Sequence, residues 1–221
     1  KPANENKNSF PLLFFRQGEF VQVNQVNIIV SPPVTLERSL FVSIKIDVMV
    51  RVAAATPHVK VADCPYNKNE MAKMIREAAA NGVSVIAFPE LAMTGYTCGD
   101  LFKDRKLMES AKACLFDLIE ETEDLDILCA VGMPIPSGGA LYNCAAVFSR
   151  GVLLGLPAKQ HIPNYSEFYE LRHFTPGMEK VEMTDWEGVQ VPMGMNLLFA
   201  CRTMPELVLA AELCEDVWVP C

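Results

Sequence analysis

One stretch of the chain decides its fold: Val208-Leu209-Ala210-Ala211-Glu212-Leu213-Cys214-Glu215-Asp216-Val217-Trp218. Residues 208–213 are mostly apolar and have the length of a buried strand. The run ends at a cysteine, which two acidic residues and then, after a valine, a tryptophan follow. The pattern therefore predicts a thiol at the end of a strand.

Two further apolar runs also end on reactive side chains. Residues 83–88 lead to Glu90, and residues 152–156 lead to Lys159. A carboxylate, an ammonium group and a thiol are the groups that an amide-cleaving thiol enzyme needs. They would form one site if the three strand ends meet at the same edge of a sheet.

The composition is typical of a globular protein. With 221 residues, of which 51% are hydrophobic and 21% charged, the chain can bury a core as one domain or two small ones. The formal net charge of -8 argues against binding to nucleic acid or to an anionic membrane, because phosphate binding needs clustered Lys and Arg. No apolar run reaches about 18 residues, so the sequence predicts no membrane span.

The cysteines and histidines exclude several kinds of site. The eight cysteines contain no C-x-x-C pair, which is typical of reduced thiols and predicts a cytoplasmic protein. No short ligand spacing indicates zinc, so we expect no metal in this chain. A Cys/His protease would need His58, His161 or His173 as its base, and none lies in a protease signature. The glycine-rich motifs of nucleotide loops are also absent from the sequence.

Residues 1–48 differ in character from the rest. They combine an Asn-rich start with a short apolar cluster at residues 10–15. The cluster is too short for a signal peptide, and no small-residue cleavage site follows it. We therefore interpret residues 1–48 as an appended segment and residues 49–221 as the folded unit.

Strands and helices alternate from residue 49 onward. Two helices are predicted, one from a cap at Asn67 or Asn69 to a stop at residues 81–82, and one over residues 106–121. The predicted strands cover residues 50–55, 83–88, 127–133, 141–148 and 152–156, in addition to residues 208–213. Pro134 should close the third strand, and residues 149–151 have the size of a hairpin turn. The fold class is α/β or α+β with a mixed sheet.

Each candidate side chain also has an ordinary interpretation. Glu90 could be a surface or helix-capping acid, but a glutamate just past a buried strand can act as a general base. Lys159 could be an exposed lysine, but it lies between an apolar strand and an aromatic loop and could hold an oxyanion. Cys214 alone would more often be a buried apolar residue, and its charged neighbours favour a reactive thiolate.

Three blocks of sequence carry a resemblance to a known family. They are Phe88-Pro89-Glu90-Leu91-Ala92-Met93-Thr94-Gly95-Tyr96-Thr97-Cys98-Gly99-Asp100-Leu101-Phe102, residues 157–170 and residues 212–220. In order and content they resemble the catalytic blocks of the nitrilase superfamily, and more narrowly the glutaminase domain of glutamine-dependent NAD+ synthetases. The resemblance covers residues 50–221 and implies an α-β-β-α sandwich with its site at strand ends.

The resemblance also implies a role for each residue. Glu90 would take the proton of Cys214, whose thiolate would attack the side-chain amide of L-glutamine. Lys159 and the backbone N–H of Glu215 would stabilise the oxyanion. The residues that match positions around the glutamine are Tyr96, Tyr165, Phe168, Glu170 and Glu215, with Glu167 as the other candidate for the fourth acid.

Departures from the family pattern bear on activity. The sequence ends seven residues after Cys214, so we expect the sandwich to be incomplete at its C-terminus and this chain to be poorly active or inactive. ATP and Mg2+ would belong to a missing synthetase domain that amidates deamido-NAD+, and the full-length protein would be a homo-oligomer. Two alternatives stay open, a stand-alone amidase that acts on another amide or nitrile, and a non-catalytic interaction module.

Overall fold

The computed structural model describes residues 50–219, together with the backbone of two short strands, β1 (Leu12–Phe14) and β2 (Val21–Val23). The remainder of the predicted appended segment 1–48, and Met49 as the start of the folded unit, lie outside the described residues. The boundary at residue 49 therefore stays a prediction.

A seven-stranded mixed sheet forms the centre of the described part, with the strand order β3-β4-β5-β6-β7-β9-β8. Its strands are β3 (Val52–Ala54), β4 (Val85–Ala87), β5 (Leu128–Ser137), β6 (Ala140–Ser149), β7 (Val152–Pro157), β8 (Glu182–Trp186) and β9 (Val189–Gly194). β3, β4 and β5 run parallel, whereas β5, β6 and β7 form an antiparallel meander. β6 is buried along nearly its whole length, because other layers cover both faces of the sheet.

Two α-helices, α1 (Cys64–Ala80) and α2 (Arg105–Glu121), cover one face of this sheet. Their apolar positions recur at helical spacing and join one buried cluster with the strands, in which Met71, Ile75, Leu115 and Leu118 are fully buried. The second helix begins within one residue of its predicted start. The α/β class with a mixed sheet is thus confirmed.

The start of α1 differs from the prediction. Asp63 is its N-cap, and its side chain accepts a hydrogen bond from the backbone N–H of Tyr66. Asn67, which was the predicted cap, lies inside the helix with a buried side chain that donates to the backbone oxygens of Lys60 and Met93. The predicted cap at Asn67 or Asn69 is wrong because Asn67 instead bonds to a neighbouring loop.

A second sheet lies on the other face, with the order β11-β10-β1-β2 and with β10 (Leu198–Ala200) and β11 (Val208–Leu209) in the well-described part. Leu197 and Phe199 pack against Val147 and Leu154 of the large sheet in a separate apolar cluster. The layers of the described part are therefore helix, sheet and sheet, in that order.

Two predicted strands differ in extent. β5 continues through Pro134 to Ser137, because β4 pairs only with Leu128–Ala130 and no described strand pairs with that edge further along, so that a proline without an N–H is tolerated there. Residues 208–213 are not a buried strand, since only Val208–Leu209 pair with β10. The apolar character of residues 209–213 has another cause, because they line a cavity between the sheets.

The hairpin between β6 and β7 is confirmed. Ser149 pairs with Val152, and the two residues between them, Arg150 and Gly151, have φ values of +48° and +76°. Positive φ at both central positions is the backbone of the tight turn that matches the twist of paired strands. This turn sets the register at the start of β7, and an irregularity opposite Val147 and Phe148 shifts the pairing by one residue before the end of β7, which Lys159 follows.

Candidate active site

The sheet brings the three predicted catalytic side chains together. Glu90 follows β4, Lys159 follows β7, and Cys214 follows β11. The Nζ atom of Lys159 lies 2.6 Å from Oε1 of Glu90. Cys214 and Glu90 line the same cavity, and the charges of Glu90 and Lys159 both act on the pKa of the Cys214 thiol. Glu90 and Lys159 thus come from strand ends, as predicted, whereas Cys214 begins a 3-10 helix five residues after β11 and does not end a strand.

One side of the site is a buried half-site made of Glu90, Asn143, Lys159 and Glu170. Lys159 is fully buried, and its Nζ atom donates to Oε1 and Oε2 of Glu170 at 3.0 and 2.9 Å as well as to Glu90. Burial lowers the pKa of Lys159, but hydrogen bonds to the two carboxylates outweigh it, so that the pKa lies above the ordinary value. Lys159 is therefore a fixed cation at the base of the site.

Asn143 belongs to the same half-site, although the sequence patterns did not predict it as a site residue. It lies on β6, is fully buried, and donates from Nδ2 to Oε1 of Glu90 at 2.6 Å. The available signal was an amide inside the apolar run of residues 141–148, because a buried polar side chain needs a partner. Helical or strand periodicity does not reveal which partner that is.

A glycine on β5 lets the loop of Glu90 approach the sheet. A Cβ atom on Gly132 would lie 2.3 Å from the backbone oxygen of Pro89 and 2.7 Å from the Cα of Glu90. Contacts this short with backbone atoms are not tolerated. The backbone carrying Glu90 therefore rests directly on Gly132, which fixes the height of the carboxylate above the sheet.

The other side of the site is the nucleophile turn, the 3-10 helix Cys214–Val217. Cys214 is exposed and has a φ of +49°, a left-handed conformation that is strained for any residue with a side chain. Burial of its sulfur and the charge of Glu90 raise the pKa of the thiol, and the charge of Lys159 only partly opposes them. This differs from the expectation that charged neighbours favour the thiolate, because burial of the sulfur and the charge of Glu90 together outweigh the charge of Lys159.

Asp216 connects the nucleophile turn to the loop after β7. Its buried carboxylate accepts hydrogen bonds from the backbone N–H groups of His161 at 2.7 Å and Gln160 at 3.1 Å. A weaker bond comes from the N–H of Leu213 at 3.4 Å. Asp216 thus holds the residues next to Lys159 against the residue next to Cys214, a role that sequence spacing does not indicate.

The fourth acid is decided by burial. Glu170 is 5% exposed and binds Lys159, and the hydroxyl of Tyr96 donates to its Oε1 at 2.6 Å. Burial and this carboxylate raise the pKa of Tyr96. Glu167, the other candidate, is exposed. The geometry therefore assigns Glu170, and not Glu167, to the lysine.

The remaining predicted substrate-binding residues lie on the open side. The hydroxyl of Tyr165 donates to Oε2 of Glu215 at 2.9 Å, and the rings of Tyr165 and Phe168 meet edge to face with centroids 5.7 Å apart. Tyr165 is 55% exposed. These three side chains form a wall beside the nucleophile turn, whereas Tyr96 reaches into the buried half-site. The binding roles of all of them stay predictions.

A cavity of about 300 Å³ opens beside Glu90 and Cys214. Its lining is otherwise mostly apolar and comes from β4, β5, β6 and residues 209–213. Within residues 50–219, no group of three or more acidic, cysteine or histidine side chains is placed to hold a metal ion. In the same range, no helix combines the length and the apolar character needed to cross a membrane.

Comparison with known proteins gives a consistent result. The family model described as carbon-nitrogen hydrolase matches residues 51–220. The chain is 37% identical over 171 residues to a glutamine-dependent NAD(+) synthetase from Mycobacterium tuberculosis, which covers 77% of this chain and 25% of that protein. It is 31% identical to the synthetase of the same name from Aquifex aeolicus, covering 78% of this chain and 27% of that protein. The chain thus spans about a quarter of the length of these curated relatives.

Solved structures agree on the fold. The crystal structure of a glutamine-dependent NAD(+) synthetase from Cytophaga hutchinsonii superposes with a TM-score of 0.68 at 27% identity, over 76% of this chain and 28% of that one. An amidase from Nesterenkonia superposes with a TM-score of 0.51 at 19% identity, over 65% of this chain and 56% of that one. At that identity the amidase supports the fold alone.

Proposed function

Because the chain belongs to the carbon-nitrogen hydrolase family, we propose that it is the glutamine amidohydrolase part of a glutamine-dependent NAD+ synthetase. Its reaction releases ammonia from the side-chain amide of L-glutamine. The observation that carries the proposal is the 2.6 Å contact between Lys159 and Glu90 beside a cavity that Glu90 and Cys214 both line. The names of the relatives point to glutamine as the amide.

The geometry supports a thioester mechanism. Glu90 takes the proton from Cys214 as Sγ attacks the amide carbon, and it then gives that proton to the departing nitrogen so that ammonia leaves. The acyl group remains on sulfur as a thioester. Glu90 next takes a proton from water, whose oxygen attacks the thioester, and the proton returns to the sulfur as glutamate leaves. Lys159 stabilises the negative oxygen of both tetrahedral intermediates, together with the N–H of Glu215.

The raised pKa of Cys214 fits this sequence of proton transfers. The thiol holds its proton in the resting enzyme, so the proton must move to Glu90 during the attack. The buried half-site keeps Lys159 charged throughout, because Glu170 binds it through both carboxylate oxygens. Because Glu90 accepts the proton of Cys214, the proposed mechanism needs no histidine base.

We propose that Tyr96 and the residues on the open side of the site bind L-glutamine. The carboxylate of Glu215, held by Tyr165, offers a partner for an α-ammonium group, while the ring of Phe168 offers an apolar wall. Tyr96 and Glu170 would close the inner end. These assignments extend the proposal to L-glutamine in particular and not to amides in general.

The proposal extends to the whole protein. Ammonia would pass to a synthetase domain that uses ATP and Mg2+ to amidate deamido-NAD+, and the whole protein would be a homo-oligomer. No residue of this chain is assigned to ATP or Mg2+. A cytoplasmic location is part of the proposal, and the free state of the seven described cysteines supports it.

A second candidate is an amidase or nitrilase-type enzyme for a small apolar substrate. The specific observation in its favour is the mostly apolar lining of the cavity beside Cys214, which suits an aliphatic acyl group. A non-catalytic module is disfavoured by a strained, exposed cysteine beside a buried cation.

The test is covalent labelling of this chain by a diazoketone analogue of L-glutamine, located by peptide mass spectrometry. Labelling needs only one attack by sulfur and therefore reports on the site even where turnover is slow. We expect labelling at Cys214 that L-glutamine blocks, that Cys214→Ala abolishes and that Cys201→Ala leaves unchanged. The same variants are compared for ammonia release from L-glutamine.

Other outcomes would reject the proposal. Hydrolysis of propionamide without labelling by the glutamine analogue would replace it with the amidase alternative. Absence of labelling and of hydrolysis of both amides in the folded wild-type chain would reject catalysis altogether. Labelling spread equally over Cys201 and Cys214 would show that exposure, and not the site, controls the reaction.

A further inference from the structure

We propose that Asn143 is a positioning residue that determines which oxygen of Glu90 takes the proton of Cys214. The inference rests on the proposed function, because it concerns the base of the same reaction. Asn143 is fully buried on β6, and its Nδ2 atom donates to Oε1 of Glu90 at 2.6 Å.

Two donors converge on the same carboxylate oxygen. Nζ of Lys159 also binds Oε1 of Glu90 at 2.6 Å, so Oε1 receives one bond from an amide and one from an ammonium group. Hydrogen bonds to a carboxylate are short and strong, and two of them on one oxygen fix the rotation of the group. Oε2 is then the oxygen left free to take the proton of Cys214, which lines the same cavity as Glu90.

Lysine alone would not fix this orientation. Its Nζ atom is also bound by both oxygens of Glu170, and an ammonium group is a compact charge that can approach either oxygen of a carboxylate. The planar amide of Asn143 donates from one direction only and comes from a strand, which is a rigid element. Asn143 therefore supplies the directional part of the contact.

The orientation of the amide follows from chemistry. An ionised carboxylate accepts hydrogen bonds and cannot donate them, so the NH2 group of Asn143 must face Glu90. Oδ1 of Asn143 is buried and has no hydrogen-bond partner among the described residues. A leucine of similar size would fill the space without this unpaired acceptor, so the contact with Glu90 is what distinguishes asparagine here.

Substitution at Asn143 can isolate the side-chain contact. The backbone oxygen of Asn143 accepts from the N–H of Lys159 at 2.8 Å, and every residue type keeps that bond. Asn143→Leu removes only the amide. Asn143→Asp keeps the shape but can donate to Glu90 only while the new carboxyl group carries a proton, in surroundings that include the charges of Glu90, Lys159 and Glu170.

The experiment measures kcat and KM for ammonia release by the wild-type chain and both variants, with L-glutamine and with propionamide, from pH 5 to pH 9. We expect Asn143→Leu to lower kcat by about 10- to 100-fold at every pH, with KM nearly unchanged, because a misplaced base slows the reaction without weakening binding. Asn143→Asp should match Asn143→Leu at high pH and recover activity as the pH falls. Circular dichroism and thermal melting check that each variant is folded.

Each remaining outcome counts against the inference. A wild-type kcat in Asn143→Leu, a loss expressed only in KM, or an Asn143→Asp variant that equals Asn143→Leu at every pH would overturn it. If propionamide is hydrolysed and L-glutamine is not, the proposed substrate fails while the comparison at Asn143 is still decided on propionamide. If the folded wild-type chain turns over neither amide, the same comparison is made on the rate and pH dependence of covalent labelling of Cys214, and equal labelling of the wild-type chain and both variants would overturn the inference.

Discussion

The buried half-site and the nucleophile turn face each other across one site but are held in opposite ways. Lys159 is fully buried and bound by two carboxylates, and its neighbour Asn143 lies on a central strand. Cys214 is exposed and lies on a short 3-10 helix. The buried half-site therefore holds its charged groups in place, whereas the nucleophile turn leaves the thiol of Cys214 accessible to a substrate.

The difference separates two requirements of catalysis. A cation that stabilises an oxyanion is most effective when it is preorganised and removed from water. A nucleophile must be reachable by the substrate, so it cannot be buried to the same degree. We therefore expect substitutions in the buried half-site to lower stability and activity together, and substitutions in the nucleophile turn to lower activity with little change in stability.

The largest effect is expected from Lys159→Met, which leaves the buried carboxylate of Glu170 and the partly buried carboxylate of Glu90 without their cation. The free energy of unfolding should fall by about 3–5 kcal/mol, with complete loss of turnover. Urea denaturation near pH 7 measures the change, with the exposed Lys73→Met as the control, for which no change is expected. Equal stability of both variants would remove the distinction between the two regions.

The stability difference between the wild-type chain and Lys159→Met should depend on pH in a direction that the pKa of Lys159 sets. The pKa of Lys159 is raised above the ordinary 10.5, so its stabilising contribution is fully present below pH 10.5 and is lost as the pH rises through the raised value. The stability gap between wild type and Lys159→Met should stay constant from neutral pH to pH 10.5 and narrow only above it. A gap that narrows near pH 8 would contradict the assigned partners.

Glu90→Gln should have the next largest effect. It removes the base from the buried half-site and also lowers the pKa of the thiol on the nucleophile turn. Turnover should fall by about 100-fold or more, because the base is removed. The pKa of the Cys214 thiol should fall, since the charge of Glu90 helps to raise it. The rate of alkylation by iodoacetamide as a function of pH measures this, with Cys201 in the same digest as the internal control. A midpoint that stays constant or rises would show that Glu90 does not act on the thiol.

Glu170→Gln and Glu167→Gln form a matched pair three residues apart. Glu170→Gln weakens the bidentate contact with Lys159, so we expect about a 10-fold loss of turnover and a loss of about 1–3 kcal/mol in stability. Glu167→Gln should change neither quantity, because Glu167 is exposed. Equal effects of the two substitutions would contradict the assignment of Glu170, and not Glu167, as the partner of Lys159.

The smallest expected effect is that of Asp216→Asn, which tests the nucleophile turn. The new amide keeps one acceptor for the N–H groups of Gln160 and His161 but loses the charge. We expect turnover to fall by about 10-fold and stability by about 1–2 kcal/mol at most. Asp185→Asn is the control, since Asp185 also accepts a backbone N–H, that of Gly188, but lies on β8 next to the β8–β9 turn. A stability loss as large as that of Lys159→Met would show that the nucleophile turn is structural.

Much of the fold was predictable because local patterns determine it. Helical spacing located α2 to within one residue, and the turn at Arg150 and Gly151 located the β6–β7 hairpin. Errors arose where tertiary contacts override local preference. Asn67 is not a helix cap, because its buried side chain donates to the backbone oxygen of Met93. β5 continues beyond Pro134 because the neighbouring strand β4 pairs with only its first three residues.

The sequence by itself determined the family, the α/β class and the three reactive side chains that follow apolar runs, since residue type, order and apolar periodicity are local properties of a chain. Only the tertiary structure decided that Glu170 and not Glu167 binds Lys159, that Asn143 and Asp216 support the site, and that the thiol of Cys214 has a raised pKa. The physical reason is that burial, hydrogen-bond geometry and the sum of nearby charges depend on residues far apart in sequence, and these distances exist only after the strands have paired.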